Sequence, residues 1–405
     1  MKTNIAGLQK AGRLSSRYYC HMVRSEQMIQ VFHQIPYQIY AGFPAWVPPI
    51  EAQVEAVFNP EWNTFFTHGQ AERWVLWDDV QGRYVGRVAA FINEKRAFTF
   101  PQPTGGMGFF ECPEDSDAAR VLFEQCRRWL QDRGMEAMDG PINFGENDRF
   151  WGLLIENYED RPVYLSNYHP PYYKHLFREY GFQAYFDQLS FKRPVSEPLQ
   201  ELFVKRAQRL ELHSGLQVKS VPPKHLEKIV PDFLNVYNTA WKTLDNFKPM
   251  SEAQARAMVE KIKPIADQEL IWFVYHVNKV VGLLILLPDI NEQLGFVKGK
   301  MGLKEKITFA LMRLLKPSRQ AFGLVFGVIP EYQNKGVEGL MFQALSTASR
   351  KSGRYKDFII SWIGDFNPRM IRLVKALGAE PYRKHTTFRF LFDRDRTFER
   401  SPICK

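Results

Sequence analysis

Seven consecutive residues, Gln333-Asn334-Lys335-Gly336-Val337-Glu338-Gly339, have the glycine and polar spacing from which a chain can build an anion cradle. Glycine lets the main chain approach a ligand closely, and the first N–H groups of a following helix have no partner inside it. Together they aim donors at a phosphate or pyrophosphate above the helix start. Two acids, Glu331 just before the loop and Asp365 just after the next apolar run, are of the type that can act as a general base. Tyr332 and Tyr382 carry hydroxyls that can donate a proton. Each has a plainer alternative: glycines that serve a turn, acids that face solvent, tyrosines that pack.

Such a loop needs a strand that stops just before it and a helix that starts just after. Gly323 to Ile329 is apolar enough for a buried strand, and Pro330, lacking an N–H, ends the pairing. Val337, Leu340, Met341, Ala344, Leu345 and Ala348 recur at helical spacing behind the loop. Lys356 to Ile363 reads as the next strand. Asn367-Pro368 then opens a helix that closes at Gly378, with Met370, Ile371, Val374 and Leu377 as its apolar face, and His385 to Phe392 forms a final strand.

The loop resembles the Gln/Arg-x-x-Gly-x-Gly/Ala signature of the GNAT superfamily of coenzyme A-dependent N-acyltransferases, and the order of elements is similar over residues 216–392. Glu338 departs from it, standing where the superfamily has glycine or alanine, with Gly339 one place later. The resemblance implies an α+β fold with a mixed sheet and acyl-CoA, acetyl or longer, as co-substrate. It implies that Gln333, Asn334, Lys335, Gly336, Val337, Glu338 and Gly339 hold the pyrophosphate and that the backbone of Val328 and Ile329 polarises the thioester carbonyl. Asn367 is a further candidate cofactor contact. An amine attacks directly, with Asp365 the first choice of base and Glu331 the second. The tyrosine that serves many members as general acid is replaced by Val374, which leaves Tyr382, Tyr332 or no dedicated acid at all, a CoA thiolate being a fair leaving group.

The first half repeats the pattern. Residues 70–78 and 83–92 read as a hairpin, Gly108 to Cys112 as a strand, and Asp115 to Gly134 as a helix with Ala118, Val121, Leu122, Cys126, Trp129 and Leu130 on one side. Pro171 to Gly181 matches Pro368 to Gly378. The expected division is an N-terminal helix and irregular wrap (1–69), a degenerate GNAT-like domain (70–193), a linker helix (194–215), an acyl-CoA-binding GNAT-like domain (216–392) and a tail (393–405). In place of the glycine loop the first copy has Glu114-Asp115-Ser116-Asp117, which repels anions and suits a helix cap. Its loop Gly140 to Asp148, before an expected helix at 149–157, resembles one in bacterial two-domain GNAT-like proteins. There Asn143, Asn147 and Asp148 are candidate acceptor contacts or simply Asx turns.

The net charge of +10 permits an anionic partner, but no helix-turn-helix, zinc finger or RNA-binding signature accompanies it, so nucleic acid is not expected. Cys20, Cys112, Cys126 and Cys404 lack metal spacing, and neither zinc nor a disulfide is expected. The longest apolar run, Val280 to Leu287, is too short to cross a bilayer, and nothing near Met1 reads as a signal peptide. The expectation is a cytoplasmic enzyme. The stretch 300–316 is basic and amphipathic, and either packs on its own domain or touches the inner membrane face. An N-acyltransferase acting on an amine, bulky or lipid-like, is the leading reading; a non-catalytic CoA- or acyl-binding scaffold is the alternative. Oligomeric state and acceptor identity do not follow from the sequence.

Overall fold

The structure, a computed structural model, describes residues 17–213, 215–242 and 249–404. Part of the expected N-terminal wrap, residues 1–16, lies outside the described residues. The chain divides into two compact units. Unit one comprises Met1–Asp187, Val297–Glu305 and Lys384–Pro402; unit two comprises Gln188–Phe296, Lys306–Arg383 and Ile403–Lys405. Each holds a mixed sheet with helices, the α+β class expected.

Unit one begins with β1 (Tyr18–Met22), α1 (Glu26–Ile39) and α2 (Glu51–Phe58). The hairpin β2 (Gly69–Asp78) and β3 (Arg83–Asn93) follows, then α3 (Glu94–Ala97), β4 (Thr104–Glu111) and α4 (Ser116–Gln131). β5 (Ala137–Gly140), β6 (Leu153–Glu156), α5 (Tyr173–Tyr180) and the start of β7 (Gln183–Pro194) complete this part of the chain. Asp115 caps α4 by accepting the Ala118 N–H, as its residue type suggests, and the apolar stripe of α4 is buried against the sheet. Phe110 stacks on Phe123 with ring centres 4.6 Å apart, and Phe177 meets both edge-on.

Two elements differ from expectation. No strand was foreseen at β1, yet Tyr18–Met22 pairs along β2. The helix expected at 149–157 is instead β6: Phe150 and Gly152 take φ of 50° and 81°, which a right-handed helix excludes, and Leu153 and Leu154 pair with Thr386 and His385.

Unit two contains α6 (Glu201–His213), β8 (Leu216–Ser220), α7 (Val230–Ala240), α8 (Glu252–Ile262), β9 (Ile271–His276) and β10 (Lys279–Pro288). After α9 (Asn291–Leu294) and α10 (Leu303–Leu315, in unit two from Lys306) come β11 (Gln320–Val328), α11 (Val337–Ser352), β12 (Asp357–Gly364) and α12 (Pro368–Ala376), and β13 (Glu380–Leu391) starts here and belongs to unit one from Lys384. β10 is the buried apolar run of the sequence, covered on both faces.

The last strands are exchanged. Unit two reads β7-β12-β11-β10-β9-β8, so the strand that ends the first repeat, from Gln188 to Pro194, pairs with β12 of the second. Unit one reads β1-β2-β3-β4-β5-β13, with β6 also on β13, so the strand that ends the second repeat closes the first sheet. A buried ion pair fixes that closure: Arg389 on β13 donates to Asp139 on β5 at 2.6 and 2.8 Å, both side chains about 3% exposed.

Candidate functional site

β11 and β12 run parallel but pair only where Gln320, Ala321 and Phe322 face Asp357, Phe358 and Ile359. Beyond Phe322 they part. β11 continues along β10 to Val328, with an extra residue where Ile285 faces Val325 and Leu286 faces Gly323. β12 continues along β7, where Ile363 and Gly364 face Leu189 and Gln188. Residues 323–326 and 360–362, central in the sheet, are consequently only half-buried. The strands thus part at their far ends, and the residues flanking the gap, apolar apart from Ser361, stay partly exposed.

The end of β11 is aimed into that gap. The Ile329 N–H donates to the Val281 carbonyl of β10 at 3.0 Å. Because successive residues of an antiparallel strand alternate their hydrogen-bonding direction, the Val328 N–H and C=O face the other way, toward β12. The Val328 carbonyl there accepts Gln333 Nε2 at 2.9 Å. The two amides expected to share one role are therefore not equivalent: that of Ile329 is spent inside the sheet, and that of Val328 points to the gap.

Pro330 ends the pairing as expected, and a single 3-10 turn, Pro330–Tyr332, leads into the loop. Asn334 and Gly336 take φ of 60° and 89°. At Gly336 a Cβ would lie 2.5 Å from Leu210 Cδ1, a side-chain tip that can move aside, so it is the conformation that demands glycine. Gly336 is the N-cap of α11 and offers no side chain to its first N–H groups. Gln333, Asn334 and Lys335 are exposed, Val337 and Gly339 are buried beneath them, and Glu338 is half-buried. The Glu338 carboxylate folds back so that Oε1 accepts the Asn334 N–H at 3.3 Å.

The remaining candidates fall into separate groups. Tyr332 Oη lies 2.6 Å from His276 Nδ1, and the exposed Glu331 lies 3.9 Å from Lys279 Nζ. His276 and Lys279, at the turn between β9 and β10, were not singled out from the sequence; they come to the loop only because Gly282 pairs with Val328. Asp365 is the half-buried residue just past β12, and Asn367 commits Oδ1 to the Met370 N–H at 3.1 Å, capping α12. Tyr382 is half-buried, with Lys192 Nζ and the Arg383 guanidinium 5.3 and 5.4 Å from its ring centre. Val374 is fully buried against Phe191, Ile363 and Ala379.

The corresponding region of the first repeat is closed. β4 and β5 pair only at 104–106 and 137–139, but there the Ile142 N–H donates to the Met107 carbonyl, and a Cβ on Gly108 would strike Ile142 O at 1.9 Å. The strand-end amide of Cys112 is taken by Tyr173 Oη at 2.8 Å. Beside it Glu111, pushed above the usual carboxylate range by burial, is held by Tyr173 and Arg87. Asp115, which caps α4, also accepts Tyr18 Oη at 2.7 Å. Asn143 is buried beside a cavity of about 30 Å³, room for about two waters, and among the described residues its Oδ1 has no hydrogen-bond partner. Asn147 and Asp148 are exposed, the latter paired with Arg149.

No family model matches the chain. It is 25% identical over 379 residues to a Caulobacter vibrioides protein named bacterial ceramide synthase, an alignment covering 90% of this chain and 95% of that one. A fungal GCN5-related glucosamine N-acetyltransferase region, part of a multi-domain β-N-acetylglucosaminidase, superposes with a TM-score of 0.53 at 11% identity, covering 93% of this chain and 38% of that one. A tandem GNAT protein from the clavulanic acid biosynthesis pathway superposes with a TM-score of 0.52 at 12% identity, covering 93% of this chain and 98% of that one. Two strand–loop–helix repeats, superposing over nearly the whole of a two-copy structure, identify the fold of this chain as the tandem GNAT fold.

Proposed function

We propose that this chain transfers an acyl group from acyl-CoA to the amine of a lipid-like acceptor, using the second repeat alone. The observation that carries the reading is the Val328 amide facing a parted pair of strands, next to a glycine-bearing loop at an uncapped helix start. Main-chain donors from Lys335 to Gly339, with the Lys335 side chain beside them, suit a pyrophosphate, while the Gln333 N–H is taken by the Pro330 carbonyl and the Asn334 N–H by Glu338. The gap between β11 and β12 suits the pantetheine arm, and the Val328 N–H suits a thioester carbonyl gaining negative charge; loss of such a donor typically costs about 3 to 4 kcal/mol. The amine attacks the carbonyl carbon, the C–S bond breaks, and the departing CoA thiolate takes up the second proton that the nitrogen loses on becoming an amide. Asp365, directly or through water, accepts the proton the ammonium must lose.

The first repeat serves as scaffold, since its gap is bridged by Ile142 and its helix start is occupied by Asp115. The lipid-like acceptor is supported by the name of the Caulobacter relative, a ceramide being a fatty amide, and by the apolar residues flanking the gap. We place the protein in the cytoplasm, where acyl-CoA is made.

One observation favours a second reading, a CoA- or acyl-binding protein without turnover: Glu338 occupies a loop N–H with a carboxylate. Thiol release from acetyl-CoA and long-chain acyl-CoA, offered a water-soluble amine panel and long-chain amino alcohols, separates the two. Turnover restricted to long-chain amines supports transfer to a lipid. Saturable CoA binding with no thiol release under any pairing supports the second reading and ends the first.

A further inference from the structure

α10 (Leu303–Leu315) is anomalous for a folded protein: a 13-residue helix without one buried residue. Leu303, Ile307, Leu311, Leu314 and Leu315 are 79%, 62%, 49%, 81% and 65% exposed. At 100° per residue, Leu303, Ile307, Leu311 and Leu314 fall within an arc of about 80°, so they form one stripe turned to solvent. Lys306 and Arg313 border the stripe on one side and Lys304 on the other, while Glu305, the one acid of the helix, lies on the far side. In an ordinary amphipathic helix the apolar stripe faces the protein. Here Thr308, Phe309 and Met312 face inward, only half-buried, and the aliphatic stripe faces out.

The helix is nevertheless held firmly at its C-terminal end. The Arg313 guanidinium donates to the Pro264 carbonyl at 2.7 Å, Gln293 Nε2 donates to the Lys316 carbonyl at 2.6 Å, and Ser318 Oγ donates to the Asp289 carbonyl at 2.5 Å. Phe296, 45% exposed with Lys316 Nζ 4.9 Å from its ring centre, extends the apolar surface next to this end. The fold thus presents aliphatic side chains to solvent on a tethered support. Exposed patches of this kind mark a surface that something covers.

We propose that α10 docks this protein on an anionic phospholipid bilayer, lying in the interface with Ile307, Leu311 and Leu314 among the acyl chains and Lys304, Lys306 and Lys316 at the phosphates. Charge selects this occupant. Basic residues flank the stripe on both sides, so a second copy of the helix would bring like charges together, whereas anionic headgroups complement them. The helix is too short to span, so it lies on the surface, and among the described residues no other helix is long and apolar enough to cross a membrane. The proposal deepens the reading of a lipid-like acceptor and rests on it for its purpose, since the amine would be drawn from the same surface.

The test is sedimentation of the full chain with vesicles, without CoA or amine, so that it reads docking separately from thiol release with a water-soluble acyl acceptor. Vesicles of phosphatidylcholine are compared with vesicles holding about 30 mol% phosphatidylglycerol. The proposal expects binding to the anionic vesicles that weakens with salt. It expects a loss of about tenfold or more in Ile307→Glu/Leu311→Glu, and loss of the anionic preference in Lys304→Glu/Lys306→Glu. Should the first pair lower the thermal midpoint, Leu311→Ser/Leu314→Ser replaces it. Equal binding by wild type and the apolar-stripe variants, or no binding to either vesicle, overturns the proposal. So does a concentration-dependent dimer that the same variants dissolve, because a second copy then covers the stripe.

Discussion

The Glu338 carboxylate accepts the Asn334 N–H at 3.3 Å, so the residue that departs from the phosphate-loop pattern occupies one of the donors that the pattern provides. On the proposed reading, a pyrophosphate would have to displace it and then sit beside its charge. Glu338→Ala removes both obstacles. CoA should bind about tenfold more tightly to the variant, a gain of about 1.4 kcal/mol, measured by titration calorimetry at low salt. Unchanged or weaker binding would mean that Glu338 orders the loop rather than opposing the ligand.

Gly336→Ala tests the loop itself. Its φ of 89° makes any side chain strained there, and Leu210 Cδ1, 2.5 Å from the Cβ position, would have to move aside. The expected result is a CoA affinity reduced about tenfold or more, with global stability lowered by about 1 to 2 kcal/mol. Gly353, whose φ is 65° with nothing within 4 Å of its Cβ position, provides the control: alanine there should cost similar stability and leave CoA binding intact.

Asp365→Asn and Glu331→Gln distinguish the two candidate bases. Asp365 is half-buried beyond β12, whereas Glu331 is exposed and opposite Lys279. Asp365→Asn should lower kcat/KM by about 100-fold or more without changing the Kd for CoA, and its loss should shrink at higher pH as free amine accumulates. Glu331→Gln should stay within about twofold of wild type. The reverse ranking would move the base to the loop.

His169 offers a prediction about acid stability. It is buried, its Nδ1 accepts the Leu154 N–H at 3.2 Å, and burial, reinforced by the nearby His385, pushes its pKa down to about 3. The unfolded chain takes up a proton near pH 6.5 that the folded chain refuses, so this contribution is complete above pH 6.5 and is lost as pH falls toward 3. The slope is about 1.4 kcal/mol per pH unit for one such proton. Urea midpoints at pH 7.5, 6 and 5 should fall in wild type and fall less in His169→Gln, which cannot take up that proton. Parallel curves would exclude this histidine as the source.

Local signals made much of the fold legible. Asn367 and Asp115 cap helices, Pro330 ends a strand, and Gly336 marks the turn, because each acts through its own backbone or that of residues within a few positions. What escaped depends on partners far along the chain. β1 is too short to declare itself without β2, and β6 looked helical until β13 gave it a partner. The difference between the Val328 and Ile329 amides is a matter of register against β10, which no residue type encodes. The meeting of Tyr332 with His276 across 56 residues is of the same kind.

The exchange of final strands has a consequence for synthesis. When β5 leaves the ribosome, the strand that will flank it, β13, lies about 240 residues downstream, a delay on the order of 10 to 50 seconds at ordinary elongation rates. Throughout that interval the nascent first repeat carries a bare sheet edge, the kind of surface that invites improper pairing between neighbouring chains on a polysome. Neither repeat can therefore be excised as a self-sufficient fragment, and a truncation ahead of Glu380 should damage the amino-terminal half of the protein as surely as the carboxy-terminal one.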